Sequence, residues 1–172
     1  MELLKEWHEF FLLLGTAGAT LLALLFVAVS LGAGFLSDER ASATRAFFSP
    51  VIVHFSVAFF VSAVALVPHH GPSFFAAVIA LSAAAGLAVS LYVTVQLMRH
   101  DWTNYMQDHL SYGLLPSASH IALIAAAAML WVDNKYAVDV LAGALLVLLL
   151  VNVRNAWDLT LSMVRHHTRE KR

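Results

Sequence analysis

The chain has 172 residues, 60% hydrophobic and only 12% charged, with a formal net charge of −1 and no cysteine. Soluble domains run about 45–50% apolar and about 25% charged, so composition places this chain among membrane proteins. The missing cysteines exclude disulfides, thiolate metal sites and cysteine nucleophiles. No basic stripe exists outside the last eight residues, which argues against a nucleic-acid partner.

Crossing a hydrocarbon core takes about 20 apolar residues, and five stretches meet that length: 10–36, 47–67, 74–98, 114–132 and 136–163. The expected fold is therefore an all-α, polytopic membrane bundle of five transmembrane helices, a single membrane domain over residues 1–172. The leader "MELLKEWHE" sets one lysine against three glutamates, the wrong sign for a signal-peptide n-region, so the first span reads as a retained helix. Steps of three and four along it give Glu9, Leu13, Thr16, Thr20, Ala23, Val27, Ser30 and Gly34. Small and hydroxylated residues of this kind let membrane helices approach closely and bond across the contact. The alternative is a pore-lining stripe in a homo-oligomer, with Glu9 at its mouth.

The second span carries His54 and is fenced by Pro50 near its start and Pro68 at its end. "PHHGP", with His69 and His70, then reads as a polar turn between prolines. Together with His8, Glu9, Asp133 and Asp139 it is also a weaker candidate for a divalent-metal site at one surface. The third span, containing "AAVIALSAAAGLAVS", is rich in small residues. It leads into "RHDWTNYMQDHLSYG", an interfacial loop over 99–113 whose Trp102, Tyr105, Met106, His109 and Tyr112 share one helical side as membrane-surface anchors. Pro116 opens the fourth span in its first turn, where the absent N–H is harmless. The tight turn "VDNKYA" makes the fourth and fifth spans antiparallel neighbours. A basic tail over 165–172, "RHHTREKR", suits anionic inner-leaflet lipids.

Five spans put Lys5 and Lys135 on one side, and Arg40, Arg45, Arg99, Arg165, Arg169, Lys171 and Arg172 on the other, with Arg154 near them. By the positive-inside rule the N-terminus faces out and the C-terminus lies in the cytoplasm.

His54 and His120 each stand six or seven residues from the cytoplasmic start of their spans, about 10 Å deep at 1.5 Å per residue. The fifth span reaches that layer with Asn152, Arg154 and Asn155, followed by Asp158; Ser30 and Gln96 arrive from the first and third. Ionisable groups within spans are costly and turn inward to pair, and Arg154 and Asp158 have the i,i+4 spacing of an ion pair. Three readings follow for this layer. It is a hydrogen-bond network that fixes the bundle as a non-catalytic scaffold, or a proton or ion path through the histidines, or a bis-imidazole site for haem or a divalent metal held by His54 and His120. No HxxxH-type ligand spacing accompanies them, so no cofactor is expected, and no phosphate loop, nucleophile elbow or zincin helix points to an enzyme.

The segments "LLLGTAGATLLALLFVAVS", "FFSPVIVHF" and "VRNAWDLT" resemble a family of small multi-pass bacterial proteins that has no assigned function. That resemblance covers the first two spans and the end of the fifth. It implies a bacterial inner membrane and draws attention to Thr16, Thr20, His54, Arg154, Asn155 and Asp158. The leading expectation is an oligomeric ion- or proton-conducting protein whose partners are the lipid bilayer and copies of itself.

Overall fold

The computed structural model describes residues 2–33, 38–68, 71–99 and 109–170, with side chains over 4–31, 50–68, 71–98 and 109–161. It is 92% helix with no strand among the described residues. A short α1 (Glu2–Glu6) leads into α2 (His8–Ala33), followed by α3 (Asp38–Ala65) and α4 (Pro72–Arg99). A π-helical turn (His109–Leu114) then runs directly into α5 (Leu115–Trp131), and α6 (Ala137–Glu170) completes the chain.

Among the described residues four stretches are long and apolar enough to cross a membrane: His8–Leu31, Pro72–Met98, His109–Trp131 and Ala137–Leu161. The apolar part of α3, Pro50–Ala65, is shorter. Large apolar side chains face outward on every one of these helices, among them Leu13, Phe60, Leu81, Met98, Ile121 and Leu150. A helix that is apolar on all sides suits a lipid surround, so by length and composition this is a multi-pass membrane protein.

Helices α3, α4, α5 and α6 form a ring in which each packs on the next and α6 closes back on α3; α2 lies outside, along α3. Two glycines allow that approach. A methyl at Gly15 would come 3.3 Å from Ser62 Cβ, and one at Gly18 would come 3.4 Å from Phe59 Cβ. The face that α2 buries is thus Phe11, Leu14, Gly18 and Leu25. Thr16, Thr20, Ala23 and Ser30 are exposed, and the three hydroxyls donate to carbonyls of their own helix, Leu12, Thr16 and Phe26. Gly34 lies outside the described residues.

Two elements differ from the sequence expectation. The helix of the second expected span, α3, starts at Asp38, twelve residues before Pro50, which stands inside it. The missing proline N–H costs one backbone bond, and the helix runs through it. Second, the interfacial loop is helical from His109 onward, and Tyr112 is buried, with its hydroxyl on Asn155 O at 3.2 Å, rather than serving as a surface anchor. Trp102, Tyr105 and Met106 lie outside the described residues. The turn after α5 follows the "VDNKYA" reading: Asp133 adopts φ 54°, Asn134 N–H reaches back to Met129 O at 2.9 Å, and Asp133 N–H to Leu130 O at 3.2 Å. That paired bonding is a Schellman closure with aspartate in the left-handed position.

Candidate functional site

The ring interior is apolar for most of its height and polar at one end. Its register is fixed by contacts along α4. Ser90 faces His54 of α3, Gly86 faces His120 of α5, and Thr94 faces Gly113 of the π-turn. Gly86, Ser90 and Thr94 are successive i+4 positions, so each rung lies about 6 Å from the next at 1.5 Å per residue. Both hydroxyls donate back one turn, Ser90 to Gly86 O at 2.9 Å and Thr94 to Ser90 O at 2.9 Å. The face of α4 is therefore a seam of small polar residues against which the two imidazoles rest.

His54 and His120 are fully buried, and their ring centres lie 4.9 Å apart at an interplanar angle of 48°. Each ring has one nitrogen committed and one without a partner. His120 Nδ1 lies 2.7 Å from Pro116 O, an atom that only accepts, so Nδ1 carries the proton and donates. Nε2 is then the lone pair, and it has no hydrogen-bond partner. It is lodged against Gly86, where a methyl group would overlap the ring, Nε2 first. On His54 the committed atom is Nε2, 3.4 Å from Ser90 Oγ. Because that hydroxyl hydrogen goes to Gly86 O, the serine accepts and His54 Nε2 donates, which leaves Nδ1 unpartnered.

Below the pair, towards the π-turn, the polar groups continue. Asn155 Nδ2 donates to Ser111 O at 2.9 Å while Tyr112 Oη donates to Asn155 O, which clamps the π-turn to α6. Asn152, three residues further in, is buried and donates to Leu148 O at 2.7 Å. The Oδ1 atoms of Asn152 and Asn155 are buried without a partner. Above His120 the same interior is closed by Ala58, Val61, Ile79, Ala83, Leu123, Ala126, Leu141 and Leu145, all buried. The polar seam is one-ended: it reaches His120 and stops at an apolar layer.

Of the residues singled out from sequence, His54, His120, Asn152 and Asn155 thus share this interior. The others stand elsewhere. Ser30 is exposed on α2, and Gln96 Nε2 donates to the exposed Tyr92 Oη at 2.8 Å. Arg154 Nε and Asp158 Oδ2 lie 3.9 Å apart, with side chains 47% and 43% exposed, on the outer face of α6. His8, Glu9, Asp133 and Asp139 are exposed; His69 and His70 lie outside the described residues. No group of three or more histidine, aspartate or glutamate side chains with metal-holding geometry occurs among the described residues. Gly86, Ser90 and Pro116 complete the site and were not marked by sequence. Gly86 and Ser90 carry no sequence signal in an alanine-rich span, and Pro116, legible only as a first-turn proline, enters the site through its carbonyl.

A haem between the two histidines does not fit these positions. Opposed axial ligation sets imidazole centres about 6 Å apart, two metal–nitrogen bonds of about 2.0–2.1 Å plus the ring radii. The rings are closer than that, and His120 presents one nitrogen to Pro116 O and the other to Gly86.

Comparison with protein-family models, curated proteins and solved structures finds no match to this chain. Function is therefore argued from the site alone.

Proposed function

We propose that this chain is a proton-conducting protein of the bacterial inner membrane, in which His54 and His120 pass a proton along the polar seam. The observation that carries the reading is the pair of buried imidazoles in ring contact, each with one nitrogen held and one unpartnered. Imidazole is the side chain that gains and loses a proton under physiological conditions, and buried intramembrane ionisable groups are a mark of proton relays. Four polar atoms of the seam have no partner among the protein's own groups, His54 Nδ1, His120 Nε2 and both asparagine Oδ1 atoms, which leaves each able to accept a hydrogen bond along the path.

On this reading the shorter apolar part of α3 serves as a fifth span and the N-terminus lies outside. The seam then opens on the cytoplasmic side, where the basic residues gather, and the apolar layer faces outward. Homo-oligomer formation is supported by the Thr16, Thr20 and Ala23 face of α2, which is exposed and which none of the described residues covers.

The test is acid-driven proton uptake into liposomes containing the purified protein. The native chain is expected to exceed protein-free liposomes, and His54→Leu and His120→Leu to fall back to them. Native protein no faster than empty liposomes would remove the proposal. A visible spectrum with a Soret band in the same preparation would replace it with the haem reading.

A further inference from the structure

His120 sits in a seat shaped for one protonation state. Nδ1–H donates to Pro116 O at 2.7 Å, and the Nε2 lone pair rests against Gly86. An imidazolium has a hydrogen on both nitrogens, and the second would point at a backbone carbon with no acceptor in front of it. The nearby Gly86 carbonyl is already taken by the Ser90 hydroxyl at 2.9 Å.

Among the described residues the surroundings offer no counter-charge. From α3 the titratable group is His54, in ring contact. From α4 the seam presents Ser90 and Thr94, and from α6 Asn152 and Asn155, none of which titrates. On the π-turn, Tyr112 Oη donates to Asn155 O, and His109 lies about three helical turns from His120. The charges of α6 nearest this layer, Arg154 and Asp158, are on its outer face. No acidic side chain is buried among the described residues. The ring also has no slack, because the α4 backbone meets it too closely for even one methyl group.

We propose that protonation of His120 expels its ring from the Gly86 seat and parts α4 from α5. The apolar layer above the pair then opens only when a proton has arrived from below. The seat is the latch: a neutral ring holds the two helices together, and a charged ring cannot stay. The use of this movement rests on the proton-conduction reading, but the movement itself is measured without flux.

The experiment places spin labels at Leu91 and Ile121, exposed positions on α4 and α5, in a chain with no native cysteine. Their separation is read by pulsed electron paramagnetic resonance in lipid nanodiscs as the pH is lowered. The expected result is a lengthening of about 2 Å on acidification, the scale of a helix shift at a packed interface. The change disappears in His120→Leu. Gly86→Ala, which wedges the ring out, shows the longer distance already at neutral pH. A constant distance in the otherwise native chain overturns the proposal, as does an acid-driven change that persists in His120→Leu. A distance that responds while liposomes show no flux removes proton conduction and leaves the latch. Flux without any change in distance removes the latch alone.

Discussion

Replacing Gly86 with alanine tests the seam most sharply, because the result depends on a contact no sequence pattern announces. The added methyl would stand 2.9 Å from His120 Cε1, with Nε2 and Cδ2 closer still, so the ring or the helix must move. Overpacking of this kind costs about 1–3 kcal/mol, against a gain of at most about 1 kcal/mol from replacing glycine within a helix. With that gain taken in full, the net expectation is a loss of up to about 2 kcal/mol. Gly143 on α6 is the control: it is exposed, and a methyl there meets nothing within 4 Å. Gly143→Ala should therefore be neutral or stabilising, by up to about 1 kcal/mol. The assay is reversible unfolding in mixed micelles with increasing sodium dodecyl sulfate. Adding His120→Ala to Gly86→Ala removes the obstructing ring, and the double variant should recover about 1–2 kcal/mol relative to additivity. Equal stability of Gly86→Ala and Gly143→Ala would falsify the close seat for His120.

Three further outcomes follow from the same packing. Asn155→Leu loses the Nδ2 bond to Ser111 O and Tyr112→Phe loses the hydroxyl bond to Asn155 O, so each should cost about 0.6 kcal/mol, and at most about 1.7, in the same unfolding assay. No measurable cost in either would mean that the π-turn is not clamped to α6. Thr94→Cys combined with Gly113→Cys should oxidise to a disulfide, since the β-carbons would lie 3.5 Å apart, within the usual range of about 3.5–4.5 Å; intact-mass analysis with and without reductant reads this directly, and a persistent dithiol contradicts the α4 register. A cysteine added at residue 3 should react with an impermeant thiol reagent on whole cells and one at residue 170 should not; the reverse pattern overturns the N-out orientation.

What the sequence revealed depended on how far counting along a helix can go. His54 and His120 stand at similar depth by simple residue counting, and the structure brings their rings to 4.9 Å. Counting also marks Asn152 and Asn155, but it does not separate them from Arg154 and Asp158 on the same helix. Positions 152, 155 and 159 face inward while 154 and 158 face out, and only the packing of α6 against α3 and α5 decides which arc is inner. The same difficulty arose on α2. Thr16, Thr20 and Ala23 do share a face, but the chain's own contact runs through Gly15 and Gly18 to Ser62 and Phe59. In a helix apolar on all sides, hydrophobicity no longer points to the core, and close approach is set by where a missing side chain meets a neighbour. Gly86 was hidden for that reason: among the alanines of α4 it looks like one more small residue until His120 is placed against it.

Proton exchange between the two buried imidazoles is read by nitrogen-15 solid-state NMR of histidine-labelled protein in lipid bilayers. At neutral pH one ring should be protonated at Nδ1, assigned to His120 by its loss in His120→Leu, and a second at Nε2, assigned likewise to His54. Acidification over the range that drives proton uptake should convert signal from both rings towards imidazolium, and removing either histidine should alter the response of the other. Two rings that hold single, unchanging tautomers across that range would contradict the relay and leave His54 and His120 as packing.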